Sequence, residues 1–384
     1  IKGQLIILFL IQVGGLGILT FATFFASFLK KGVGVRQQSI LQEIFDSDSL
    51  SGTYQLLRRI FVFTLSIEII GAFLLYFLWG NYPFKNINEQ IYFSLFHSIS
   101  AFCNAGFALF SNGLYEQGIR NLYLFHIVIA LLIIFGGLGF PAIRDIFDRE
   151  QLRKRLKLGW KRWKLSTQIA VYASIALILV GTLLFYLLEK ENTLAGLGPI
   201  EQIITAFFQS VTTRTAGFNT VDMTQLGKPI LMIFIFLMFI GASSGGTGGG
   251  IKTSTFVVIF KSLLATVTGQ RVITLGRRTI SHDLVYKAQS VFLFSATFIF
   301  VCSFLLSITE PNVPILDLVF EEVSAFATVG LSTGVTPNLS IAGKLIITFT
   351  MLIGRVGILT LAFALSIEKE DKLYKYPNSH IMIG

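Results

Sequence analysis

Seven stretches of this chain are apolar over lengths that can cross a lipid bilayer, near 4–29, 60–80, 121–143, 168–188, 229–260, 289–309 and 343–366. A crossing helix needs about 20 mostly apolar residues. Lipid offers the backbone no hydrogen-bond partner, so only helices or a closed barrel can span it. These runs are too long and too continuous for barrel strands, which makes the expected fold class all-α membrane. Composition agrees: 14% of the residues are charged, against about 25% in soluble domains. An ordinary soluble enzyme, a disordered chain and a coiled coil are all excluded.

The net charge of +10 raises the question of nucleic acid, and the placement of the basic residues answers it. Segments 30–59, 144–166, 261–288 and the C-terminal tail hold 22 of the 31 Lys and Arg residues, while the intervening loops carry almost none. Basic loops mark the cytoplasmic side, so the charge reads as topology, with the C-terminus inside and no nucleic-acid partner. Cys103 and Cys302 fit no metal or disulfide spacing, and His97, His126, His282 and His380 are scattered. No convergent acid–base or metal set is visible, and no enzyme is expected.

The connections after the second, fourth and sixth spans each contain a short apolar piece. Side by side they read FHSISAFCNAGF (Phe96–Phe107), FFQSVTTRTAGF (Phe207–Phe218) and FEEVSAFATVGL (Phe320–Leu331). An aromatic stands ten positions before a Gly in each, and small or hydroxylated residues stand four to six before it. The glycines Gly106, Gly217 and Gly330 are 111 and 113 residues apart. This is an internal repeat of span, short helix, Gly-centred turn and span. Non-helical backbone at membrane depth survives only where it is buried in protein or lines a water-filled cavity. Turns aimed at one axis present a ring of carbonyls that can replace a cation's hydration shell; the competing reading is three unrelated loops. The second spans carry related motifs, QVGGLGILT (Gln12–Thr20), FGGLGFPA (Phe135–Ala142) and IGRVGILT (Ile353–Thr360). Residues 1–29 therefore read as the second half of a further repeat, whose first half is expected before Ile1. The expected architecture is four-fold pseudosymmetric. It divides the chain into 1–59 (second span of the first repeat and its loop), 60–166, 167–287, 288–366 and a cytoplasmic tail at 367–384.

The motifs IQVGGLGI, SAFCNAGF, TTRTAGFN, SAFATVGLSTG and IGRVGILT resemble the Trk/Ktr/HKT superfamily of K⁺ transporters, most of all its bacterial Ktr-type membrane subunits. The resemblance covers almost the whole chain. It implies K⁺ uptake across the bacterial plasma membrane, a homodimer, and regulation by a cytoplasmic RCK-type (KtrA-like) ring. Any nucleotide then belongs to that ring, and Na⁺ is kept as a candidate activator. The expected filter residues are Cys103, Asn104, Ala105 and Gly106; Arg214, Thr215, Ala216 and Gly217; and Ala327, Thr328, Val329 and Gly330.

In the third repeat the second span reads IGASSGGTGGGIKTS (Ile240–Ser254). Each Gly costs a helix up to about 1 kcal/mol relative to Ala, so the helix is expected to break at 241–250, below the filter. A P-loop needs Lys directly after Gly, and here Ile251 intervenes. The loose dinucleotide match from Gly137 to Ala142 falls inside a span. The loop reads as a gate made of Gly241, Ser243, Ser244, Gly245, Gly246, Thr247, Gly248, Gly249 and Gly250. The competing reading is a static kink for close packing.

Ionisable groups inside the membrane are costly and usually functional. Arg355 is expected to latch the closed loop through its carbonyls, or else to pair with a carboxylate such as Glu68. Lys252 either repels ions or snorkels to the interface. Arg214 is expected to brace the filter from behind. Glu321 and Glu322 are expected to open the fourth pore helix, as cation attractors or helix-dipole partners. A Na⁺-preferring transporter, such as a subunit associated with a V-type sodium pump, and a non-conducting membrane scaffold remain the alternative functions.

Overall fold

The computed structural model describes residues 2–17, 53–158, 162–270, 272–276 and 278–357. The remainder of the first expected span, the loop to residue 52, the end of the last span and the tail at 367–384 lie outside the described residues. Within them the chain forms thirteen α-helices. They are α1 (Lys2–Leu16), α2 (Thr53–Leu78), α3 (Ile87–Phe102), α4 (Tyr123–Leu138), α5 (Phe140–Phe147), α6 (Arg149–Lys157), α7 (Leu165–Glu189), α8 (Pro199–Thr212), α9 (Lys228–Phe239), α10 (Thr253–Val267), α11 (His282–Thr309), α12 (Ile315–Phe326) and α13 (Ile341–Val356). A two-stranded hairpin pairs Thr274–Leu275 with Arg278–Thr279.

Arg58–Leu78 of α2, together with α7 and α11, is long and apolar enough to cross a membrane, yet only 22–28% of each apolar window is buried. Phe73, Phe77, Leu179, Leu183, Phe300 and Phe304 face outward. Helices apolar on their exposed face suit lipid rather than water. The inner faces pack by small-residue contact. Ser98 on α3 donates to Glu68 O on α2 at 2.7 Å, and Ser210 on α8 donates to Ile178 O on α7 at 2.8 Å. Gly71 and Gly181 open the space these serines occupy.

Two expected spans are not continuous helices. The stretch 121–143 bends by 99° between α4 and α5. Gly139 takes φ +82° there, and Pro141 starts the next helix without an N–H to satisfy. Left-handed backbone suits only glycine at low cost. Gly17 and Gly357 close α1 and α13 with φ +84° and +89°. The stretch 229–260 splits into α9 and α10, with the glycine loop between them, as the density of glycines predicts.

The basic ends of two spans meet on one side. Arg58, Arg59 and Arg144 line a single cavity of about 850 Å³ with Val62, Phe63 and Phe147.

Candidate functional site

α3, α8 and α12 have 16, 14 and 12 residues, too short to cross. Each carries one acid in its first turn: Glu89, Glu201 and Asp317. These carboxylates complement the positive end of the helix dipole. Glu321 and Glu322 do not open the fourth pore helix as expected; they lie in its second half, because α12 starts at Ile315. Glu321 accepts hydrogen bonds from Ser332 Oγ, Thr336 Oγ1 and the Thr333 N–H, and so holds the segment after Gly330. Glu322 is fully buried and accepts from Thr350 Oγ1 on α13 at 2.8 Å.

Each short helix ends by directing its C-terminal carbonyls into a turn. The three turns share one backbone signature, a left-handed residue two positions before a left-handed Gly. Asn104 and Gly106 have φ 51° and 72°, Thr215 and Gly217 have 69° and 83°, and Thr328 and Gly330 have 51° and 92°. A hydroxyl closes each turn. Ser100 donates to Phe107 O at 2.8 Å, Thr212 to Phe218 O at 2.6 Å and Ser324 to Leu331 O at 2.7 Å. In the middle turn the hydroxyl sits one residue closer to the Gly, so sequence register alone does not pair Thr212 with Ser100 and Ser324.

The turns also meet one another. A Cβ added at Gly106 would lie 2.5 Å from Ala216 O, and one at Gly217 would collide with Val329 O. Gly217 and Gly330 line a cavity of about 530 Å³ together with Asn219, Asp222 and Glu321. Two acids and converging carbonyls give it a chemistry suited to a cation. The side chain of Cys103 turns away from the other turns, toward Gln12 Oε1 at 3.8 Å and Glu68 Oε1 at 3.6 Å. Phe107 is exposed rather than packed against a short helix, whereas Phe96, Phe218 and Phe320 are buried.

The glycine loop lies against these turns. Its neck is a parallel bridge between Ile240 and Ile251, with the Gly241 N–H on Ile251 O at 2.9 Å. An added Cβ at Gly248 would collide with Thr215 Oγ1, and one at Gly249 would lie 2.8 Å from Ala327 O. The tip runs under α4. The Ser243 N–H bonds Gly137 O at 3.0 Å, the Thr247 N–H bonds Gly136 O at 3.1 Å, and the Phe140 N–H bonds Gly245 O at 3.2 Å. Thr247 Oγ1 donates to Phe102 O at 3.2 Å. Ser243 and Ser244 are tied to Thr253 Oγ1 and Ser254 Oγ. Sequence reading did not anticipate the Gly136 and Gly137 carbonyls as loop acceptors; the Gly-Gly pair is the signal that a backbone approaches there.

Three cations grip this loop. Arg355 donates through Nη1 to Thr247 O at 2.7 Å and through Nη2 to Gly14 O. It is not seated on Glu68, whose carboxylate takes the Gln12 amide at 3.1 Å and the Cys103 thiol. Lys252 Nζ turns back to Gly248 O at 2.7 Å instead of snorkelling. Arg214 donates through Nη2 to Gly241 O at 3.1 Å, at the neck of the loop.

A family model for TrkH, described as a cation transport protein, matches residues 2–376. Ktr system potassium uptake protein B of Vibrio alginolyticus is 38% identical over all of this chain and 82% of its own. The potassium/sodium uptake protein NtpJ of Enterococcus hirae is 35% identical over all of this chain and 83% of its own. The crystal structure of the potassium transporter TrkH from Vibrio parahaemolyticus superposes with a TM-score of 0.70, at 18% identity, over 94% of this chain and 71% of that one.

Proposed function

The chain belongs to the TrkH family of cation transport proteins, and we propose that it is the ion-translocating membrane subunit of a bacterial K⁺ uptake system. The observation that carries this reading is the meeting of three turns with one alternating left-handed signature, Gly106 against Ala216 O and Gly217 against Val329 O. K⁺ enters through the cavity bearing Asp222 and Glu321 and exchanges water for carbonyls of 103–106, 214–217 and 327–330. The negative ends of α3, α8 and α12 favour the cation there. The loop 241–250 then blocks the path toward the basic, cytoplasmic side, and Arg355 latches it through Thr247 O. The shared signature also supports 60–166, 167–287 and 288–366 as repeats of one unit.

The resemblance further carries a homodimer and a cytoplasmic RCK-type ring that holds any nucleotide; the basic ends around Arg58, Arg59 and Arg144 are where such a ring would dock. The name of the Enterococcus relative favours a second reading, in which Na⁺ is carried or coupled. Rb⁺ uptake into proteoliposomes with and without Na⁺ separates the two. Wild-type K⁺ over Na⁺ preference in Gly330→Ser would overturn the filter assignment.

A further inference from the structure

Arg214 is 7% exposed, and its Nη1 finds no partner among the described residues. It borders a cavity of about 20 Å³ lined by Gly137, Ser174, Ile178 and Ala242. Burying a guanidinium without a carboxylate is costly, so its one directed contact, Gly241 O, carries unusual weight. That carbonyl belongs to the neck of the glycine loop, where the Gly241 N–H bonds across to Ile251 O. On the main chain Arg214 is the first of the four residues that form the middle turn. Its neighbour Thr215 packs against the other limb of the neck, at Gly248. The equivalent residues in the other turns make no such link, since Cys103 faces Gln12 and Glu68, and Ala327 has no polar side chain.

We propose that Arg214 is a positioning residue coupling the middle turn, 214–217, to the neck of the glycine loop, so that K⁺ over Na⁺ discrimination depends on where the loop sits. With the loop in the observed position, Arg214 pins the start of the turn and the carbonyls of 214–217 are held in register. When the neck moves, Gly241 O leaves, the free Nη1 beside the small cavity offers an alternative donor, and the turn loosens. The inference rests on reading the turns as a filter and the loop as a gate.

The test measures Rb⁺ flux and its inhibition by Na⁺ in proteoliposomes for wild type, Arg214→Met, Arg214→Lys, Arg355→Gln and the double variant Arg214→Met/Arg355→Gln. Arg355→Gln frees the loop at its far end. Losing one charge-assisted hydrogen bond corresponds to roughly a tenfold change in an equilibrium, so Arg214→Met is expected to lower discrimination by about that factor. Arg214→Lys is expected to restore part of it. Arg355→Gln is expected to lower discrimination in the wild-type background and not further in Arg214→Met. Should Arg214→Met fail to fold, Arg214→Lys and its double variant with Arg355→Gln carry the same comparison. Unchanged discrimination in the folded Arg214 variants, or losses that multiply independently in a double variant, overturns the coupling. Gly330→Ser distinguishes the failures: if it keeps wild-type preference, the filter reading falls; if it loses preference while the Arg214 variants keep it, only the coupling falls.

Discussion

Replacing Gly106, Gly217 and Gly330 one at a time by Ala is expected to damage the protein in an order set by the packing of the turns. All three have left-handed φ, and an L-residue there costs about 1–2 kcal/mol. Gly330 has only that cost, because the nearest atom to an added Cβ is Gly217 Cα at 3.9 Å. At Gly217 the Cβ would fall inside the van der Waals shell of Val329 O, with Val329 C at 3.2 Å and Gly330 Cα at 3.4 Å. The obstacle is backbone, which cannot rotate away as a side chain would. Overpacking of this kind adds about 1–3 kcal/mol, for a total of about 2–5 kcal/mol. Gly106, at 2.5 Å from Ala216 O, falls between. The strain at Gly217 is relieved by turning the Val329 carbonyl, so it should appear in selectivity as well as stability. Thermal unfolding of the purified protein and Na⁺ competition against Rb⁺ flux are the two assays. Gly217→Ala is expected to unfold lowest and discriminate worst, and Gly330→Ala to sit nearest wild type. Gly3→Ala is the neutral control, since nothing lies within 4 Å of its added Cβ. Equal stability and selectivity for Gly217→Ala and Gly330→Ala would refute the convergence of the turns as the determinant.

Gly248→Ala is expected to push the loop off Thr215 and raise resting Rb⁺ leak; adding Thr215→Ala, which removes the colliding Oγ1, should reverse part of the leak. Arg355→Gln removes a charge-assisted bond to Thr247 O, worth about 1.5–3 kcal/mol, and should raise leak roughly ten- to hundredfold. Thr350→Val removes the 2.8 Å bond to the buried Glu322 carboxylate, and should cost about 1–3 kcal/mol in thermal unfolding. Gly136→Ala and Gly354→Ala should be similarly disruptive by the same assay, since an added Cβ would collide with Phe102 O and Phe326 O respectively.

What could be read from sequence was whatever depends on local composition. Apolar length marks α2, α7 and α11, and the glycine density marks the break between α9 and α10. The three turns were readable because each has a Gly ten residues after an aromatic. What depends on the partner surface was not. Thr212 does the work of Ser100 and Ser324 from a shifted register, which the spacing of the motif does not reveal. Glu321 looked like a helix-start acid because the true start, at Ile315, lacks a polar N-cap side chain and follows Pro314. Lys252 looked free to snorkel because a run of letters does not reveal that the loop folds back to bring Gly248 O within its reach.

A gating loop and a loop that merely lets neighbours pack closely are usually set against each other; on the gate reading proposed above, the same contacts serve both. Gly241, Gly248 and Gly249 lack Cβ atoms because Gly249 O, Thr215 and Thr328 stand where those atoms would be. These contacts exist only while the loop occupies this position. What holds it is mostly polar: Ser243 and Thr247 on α4 carbonyls, Phe140 on Gly245, and the side chains of Lys252, Arg214 and Arg355. Among its ten residues only Ala242 is apolar with a side chain, so displacing the loop exposes little hydrocarbon. Exchanged for water, the neutral bonds cost only about 1 kcal/mol each on balance and the three charge-assisted ones about 1.5–3 kcal/mol. Half a dozen such bonds hold a blocked state firmly without making its release prohibitive, provided the space the loop moves into is wet. A loop built from apolar side chains would have been trapped by its own burial, and a loop with fewer bonds would not have stayed closed.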